Sequence, residues 1–135
     1  MIVQILDRLF IGDLNYNKDT LKSRGISYVI NLCGTKTGLE DYYLHLPDDS
    51  SVTLTDISTV LTLLRNKLWY SDAKVFIHCR KGESRAPLIA ALWLNRMGMD
   101  FNDALRLVEF KHPGTSINEG LLKKVLGLGS YDVQT

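Results

Sequence analysis

Eight consecutive residues, His78-Cys79-Arg80-Lys81-Gly82-Glu83-Ser84-Arg85, bring together a thiol, a guanidinium, a glycine and a hydroxyl. A thiol is a poor nucleophile until it ionises. Cys79 lies between a short apolar run, Lys74-Val-Phe-Ile-His78, and a helix-forming run that starts at Arg85. It therefore precedes a helix N-terminus, where free N–H groups and the helix dipole favour an anion. His78 and Arg85 add to that effect. The same N–H groups, from Arg80 through Arg85, can wrap a tetrahedral oxyanion as a nest. Gly82 permits the backbone conformation that wrapping demands. Arg85 offers a planar fork suited to two phosphate oxygens at once, a geometry lysine cannot match. The chemistry this set could do is attack by Cys79 on a phosphate monoester, with the oxyanion held by the loop. Taken singly, Cys79 could be a buried structural thiol and His78 a strand-end histidine satisfied by backbone. Their combination with Gly82, Ser84 and Arg85, between an apolar strand and a Pro-started helix, argues for a catalytic loop.

The remaining sequence supplies elements to position this loop. Ile2 to Ile5 and Leu9 to Ile11 read as short strands around a turn at Asp7-Arg8. Asn17 to Arg24 reads as a short helix, capped by Asn15 or Asn17 and stopped by Gly25. Ser27 to Cys33 is rich in β-branched and aromatic residues and predicts a buried strand, and Tyr42 to Leu46 predicts another, broken by Pro47. Ile57, Val60, Leu61, Leu64 and Leu68 recur at helical spacing, predicting a helix from about Asp56 to Trp69 with Thr53 or Thr55 as cap. Arg85 to Met97 predicts a nearly all-apolar helix. Pro87 is tolerated in its first turn, and Gly98 ends it. Asn102 or Asp103 is expected to cap a helix running to about Lys111. A last helix is expected from near Ile117-Asn118 to about Leu128. Strands alternating with helices predict an α/β, three-layer sandwich with a central, mainly parallel sheet flanked by helices. Ligands of such sheets bind beyond the carboxyl ends of strands, where Cys79 falls.

Composition narrows the function classes. The 135 residues fit a single domain spanning 1–135, and 45% hydrophobic with 23% charged residues is an ordinary globular balance. A formal net charge of +1 gives no basic field of the kind that grips nucleic acid. No apolar run approaches the roughly 20 residues of a membrane span, and the first residues lack the basic start of a signal peptide. A cytoplasmic protein without a membrane partner is expected. Cys33 and Cys79, the two cysteines, form neither a zinc pattern nor a secreted disulfide framework. No metal or cofactor is expected.

The loop His78-Cys79-Arg-Lys-Gly82-Glu-Ser84-Arg85 resembles the signature of the protein tyrosine phosphatase superfamily, specifically its compact dual-specificity phosphatases. The likeness extends outward. Leu9-Phe-Ile-Gly12, Leu21 through Cys33, Tyr43-Leu-His-Leu-Pro47 and Ser116-Ile-Asn-Glu-Gly-Leu121 resemble successive segments of that family. The resemblance implies the superfamily's fold, a phosphocysteine on Cys79, and phosphate binding by Arg85 and the residues Arg80, Lys81, Gly82, Glu83 and Ser84. His78 and Asn118 would support the loop, Asn118 as a brace or only as a helix cap. The family's general acid follows the strand that ends in Pro, which points to Asp48-Asp49. Asp49 is preferred and Asp48 stays open. The residue after the loop arginine usually carries a hydroxyl that helps the cysteine leave. Here it is Ala86, followed by Pro87, a sequence similar to the phosphatases of regenerating liver, and a slow second step is implied. That subfamily also has a strand-end cysteine at the place of Cys33, which implies a reversible Cys33–Cys79 disulfide, with a plain buried thiol as the alternative.

Relatives that cleave inositol lipids tend to carry Lys at the position of Glu83, so the carboxylate there implies phosphorylated protein substrates. A chain without pocket-deepening elements should admit phosphoserine and phosphothreonine beside phosphotyrosine. Packing is the expected role of Tyr16, Tyr42, Tyr43 and Trp69, with substrate contact as the alternative. Sulfurtransferases of the rhodanese type also place a cysteine loop before a helix, but their loop is usually one residue shorter. A phosphoprotein-binding module with little turnover and an RNA 5′-phosphatase are the competing functions, the latter with no basic stripe or aromatic platform to support it. A monomer is expected.

Overall fold

The computed structural model describes residues 1–127. Its strands are β1 (Ile2–Leu6), β2 (Leu9–Gly12), β3 (Tyr28–Asn31), β4 (Tyr42–Tyr43) and β5 (Val75–His78). Its helices are α1 (Lys18–Ser23), α2 (Leu54–Trp69), α3 (Arg85–Arg96), α4 (Phe101–Lys111) and α5 (Glu119–Leu126). The sheet runs β1-β2-β5-β3-β4. β2, β5, β3 and β4 pair in parallel, and β1 closes one edge antiparallel to β2. The mainly parallel α/β sandwich expected from the sequence is therefore present.

The two-residue period of strands divides the side chains between two faces. Leu9, Ile11, Ile30, Val75 and Ile77 enter the main core, shared with α2 and α3. Phe10, Val29 and Phe76 face the other way and are covered by Tyr16, Leu21 of α1 and Ile26. Helix α3 is apolar around most of its circumference because α2 and α4 pack against it as well as the sheet. Nine consecutive residues, Ala86 to Leu94, are buried. The stripe Ile57, Val60, Leu61, Leu64 and Leu68 is the buried face of α2, as its spacing predicts.

The caps hold with one correction. Asn17 caps α1 through a reciprocal bond with Thr20, and Thr53 caps α2. Helix α4, however, begins at Phe101, and its cap is Asp100 rather than Asn102 or Asp103. The Asp100 carboxylate accepts the Asn102 N–H at 3.1 Å. Extended dihedrals at Asp100 leave Phe101 free to start the helix and pack onto the core. The strands expected at Ser27 to Cys33 and Tyr42 to Leu46 are shorter as regular ladders. Pairing nevertheless continues through the Leu32 N–H to His78 O and the Leu46 N–H to Leu32 O, both 2.9 Å. Helix α5 ends at Leu126 with Gly127 in the left-handed region, and the expected end at Leu128 lies outside the described residues.

Asp100→Ala should cost about 1 kcal/mol of unfolding free energy, the usual value of an N-cap. Asn102→Ala should change stability by less than about 0.5 kcal/mol. Urea denaturation of the two variants checks the assignment.

Candidate active site

Cys79 follows β5 directly, and the turn from Arg80 to Ser84 carries the chain into α3. The central parallel strand thus delivers the thiol to the carboxyl edge of the sheet. Cys79 is 2% exposed and forms part of the floor of a cavity of about 350 Å³. Arg80, Lys81, Glu83, Ser84, Arg85, Asp48, Ser116, Ile117 and Asn118 complete its lining.

The loop's polarity explains what the cavity can bind. Its carbonyls point outward, and each of four finds a donor. Arg80 O accepts from Leu14 N–H at 3.4 Å, Glu83 O from Ser116 N–H at 2.8 Å, and Ser84 O from Leu88 N–H at 3.0 Å. Gly82 O lies 2.8 Å from Nε2 of buried His112, the donor there because a carbonyl can only accept. No protein acceptor among the described residues takes the N–H groups of Arg80 through Arg85. This reversal of the chain depends on Gly82, whose φ is +70° and whose missing Cβ would lie 2.9 Å from the backbone of Gly12. Arg85 is anchored by Nη1 to Leu32 O (3.2 Å) and Leu46 O (2.8 Å). Its Nε is buried with no partner among the described residues. A buried guanidinium N–H without an acceptor is costly to the protein alone. Beside a cavity lined by the same loop, such a donor is available to an anion's oxygen.

The sequence model of the dual specificity phosphatase catalytic domain matches residues 9–130. The chain belongs to this family. Mouse dual specificity protein phosphatase 8 is 29% identical over 134 residues, covering 93% of this chain and 20% of that protein. Human dual specificity protein phosphatase 16 is 29% identical over 136 residues, with 91% and 20% covered. The chain thus spans about a fifth of the length of these relatives. Among solved structures, the Cydia pomonella PTP-2 phosphatase aligns with a TM-score of 0.82 at 20% identity, covering 93% of this chain and 88% of that one. Likeness at that identity establishes the shared fold.

Within this phosphatase domain, the structure distributes the residues singled out from sequence unevenly. Asp48, not Asp49, reaches the cavity. Its Oδ1 accepts from the Ser84 hydroxyl at 2.6 Å. Asp49 turns back onto its own loop, where the hydroxyl and N–H of Ser51 bond its carboxylate and hold it below the usual range. Asn118 caps α5 with its side chain (Leu121 N–H, 3.0 Å), while its backbone N–H donates to Ser84 Oγ at 2.8 Å. The brace therefore runs through backbone rather than amide side chain. Cys33 and Cys79 are both free. The Cys33 thiol bonds to Asn31 Oδ1 (2.9 Å) and Thr35 O (3.3 Å).

His78 departs from the expectation that it lends positive charge to Cys79. Strand alternation places it on the opposite face of the sheet, fully buried beside Tyr16 and Phe76. Burial pushes its pKa down to about 4, against smaller upward effects of the Cys79 backbone, Glu40 and Asp13. It is neutral at ordinary pH. Sequence reasoning missed His112, which reads only as a helix breaker beside Pro113-Gly114, and for Tyr16 it offered packing, with substrate contact as the alternative, but not the bond to His78. No local pattern signals either contact, since both partners lie 30 or more positions away.

Unfolded His78 takes up its proton near 6.5 and folded His78 only near 4. Between those values the unfolded chain binds more protons, so stability should fall as pH drops from 6.5 to 4. His78→Asn should flatten that part of the stability–pH curve, measured by urea denaturation at constant ionic strength.

Proposed function

We propose that the protein hydrolyses phosphotyrosine and also phosphoserine and phosphothreonine in phosphorylated proteins, through a phosphocysteine on Cys79. The observation that carries this reading is the buried Nε of Arg85, which, like the loop amides, has no protein acceptor among the described residues. The transferring phosphoryl group would sit there, with Arg85 and the amides neutralising its oxygens. The Cys79 thiolate attacks phosphorus from below, forming the S–P bond as the ester P–O bond breaks. Asp48, protonated, gives its proton to the departing oxygen. The resulting carboxylate takes a proton from the water that next attacks phosphorus, and the S–P bond breaks to return thiolate and phosphate. The Ser84 hydroxyl, which accepts from Asn118 and donates to Asp48, links this acid to the loop.

The cavity lining is polar apart from Cys79 and Ile117, so little apolar wall is available to grip an aromatic ring selectively. This supports acceptance of shorter phosphorylated side chains. Ala86, buried in the first turn of α3, supplies no hydroxyl to assist departure of the thiolate, and the Ser84 hydroxyl is already engaged. Hydrolysis of the phosphocysteine is accordingly the slow step. A protective disulfide with Cys33 would require that thiol to leave Asn31 and Thr35.

Asp48→Asn should lower kcat about 10²- to 10⁴-fold on an aryl phosphate with a poor leaving group, and less on one with a good leaving group. Asp49→Asn should stay near wild type. The reverse ranking would reassign the acid. In rapid-quench kinetics the wild type should show a burst of released alcohol close to one per enzyme. Ala86→Ser should raise the steady-state rate and shrink the burst.

A further inference from the structure

Arg80 lines the cavity, yet its side chain reaches beyond it. Nη2 donates to Thr35 Oγ1 at 3.1 Å, and Thr35 belongs to the loop between β3 and β4, outside the cavity lining. Arg80, Thr35 and Lys36 are all exposed. The shape of that loop is fixed from within. Asn31, fully buried at the end of β3, donates from Nδ2 to Thr35 O at 2.9 Å, and its Oδ1 accepts the Cys33 N–H at 2.9 Å. The Cys33 thiol lies 3.3 Å from the same Thr35 carbonyl. At the other end of the loop, Glu40 Oε2 accepts the N–H groups of Thr37 (3.0 Å) and Gly38 (3.1 Å). Thr35 is therefore held in place before any ligand arrives, which spares part of the ordering cost of binding.

Counting donors shows what this edge of the cavity offers. Thr35 Oγ1 accepts from Arg80, and its own hydrogen has no acceptor among the described residues. The Arg80 guanidinium makes no other hydrogen bond among them, which leaves most of its N–H groups free. A hydroxyl donor and guanidinium donors thus stand side by side and exposed, a set that suits a carboxylate. The charges agree. Neither Arg80 nor Lys36 joins an ion pair among the described residues. Lys36 Nζ rests 5.1 Å from the centre of the Tyr43 ring, which holds its charge beside the same loop. The carboxylates of the neighbouring segments are already engaged. Glu40 is bonded to its own loop, Asp41 Oδ2 to Val29 N–H (2.8 Å) and Asp13 Oδ1 to Asn15 N–H (2.9 Å). On the α5 side, Asp48 is bonded to Ser84, and Glu83 is tied through its carbonyl to Ser116. The rim is cationic toward the β3–β4 loop and anionic toward α5.

We propose that Thr35, Arg80 and Lys36 form a subsite for the carboxylate of an acidic residue that flanks the phosphorylated residue of the protein substrate. The Arg80 backbone N–H serves the phosphoryl group, and the Arg80 side chain serves this second anchor. Together they select among phosphorylated sequences. The subsite rests on the phosphatase reading of the adjoining cavity, and the two have separate readouts.

Fluorescence anisotropy of the full chain with labelled peptides tests it. Each peptide carries difluorophosphonomethylphenylalanine, a phosphotyrosine mimic that is not hydrolysed, with Asp or Asn at one nearby position on either side. At one or more positions Asp should lower Kd about 3- to 10-fold relative to Asn, the range for a charge-assisted but exposed contact. The ratio should shrink as salt is raised. Thr35→Val should bring the ratio below about 2-fold, and Thr35→Ser should retain it. Should Thr35→Val fail to fold, Lys36→Glu changes only an exposed side chain and should turn the preference toward Asn. Equal Kd for Asp and Asn at every position, no binding of any peptide, or a preference unchanged in either variant that folds overturns the subsite. Hydrolysis of an aryl phosphate, which has no flanking residue, should be the same in wild type, Thr35→Val and Lys36→Glu. Its absence in wild type overturns the phosphatase reading, while the Kd ratios still judge the subsite.

Discussion

A nest that binds an oxyanion must turn its N–H groups inward, and this forces its carbonyls outward into the protein. Buried carbonyls need donors. The rest of the domain is arranged to provide them: Leu14 after β2, His112 and Ser116 between α4 and α5, and Leu88 in α3. The segments around the sheet's carboxyl edge are therefore tied to the loop by satisfied hydrogen bonds, while the loop's N–H groups find no acceptor among the described residues. Gly82 meets the same demand from the other side, since its positive φ and its close approach to Gly12 exclude any side chain.

Strand periodicity then assigns the parts. On β5 and just past it, Ile77 and Cys79 belong to the main core, whereas Phe76 and His78 belong to the α1 side. Cys79 and its neighbouring histidine are thus held by different layers of the sandwich. The cavity side is organised by Arg85, Asp48 and Ser84. On the far side, hydrogen bonds link His78 to Tyr16, Tyr16 to Thr37 and Thr37 to Glu40.

Much of this was legible in the sequence because it is written in local terms. The loop residues are contiguous, the caps Asn17 and Thr53 precede their helices, and the α2 stripe follows helical spacing. Parallel pairing followed from strands alternating with helices. What escaped depends on contacts distant in sequence. His112 reaches a carbonyl 30 positions away and Tyr16 a ring 62 positions away. The sequence preferred Asp49 and kept Asp48 open, and it did not show the local placement: Ser51, two residues on, bonds Asp49, while Asp48 meets Ser84 in the cavity. His78 looked like a source of charge because it adjoins Cys79 in the chain, but adjacent strand residues face opposite layers.

The central claim is that Cys79 carries the phosphoryl group. Acid quench of the protein during turnover of a ³²P-labelled phosphotyrosyl peptide, followed by peptide mapping, tests it most directly. Label should appear as a thiophosphate on the peptide containing Cys79, should be absent in Cys79→Ser, and should approach one per enzyme at steady state. Turnover with no protein-bound label, or with label on another residue, would contradict the account.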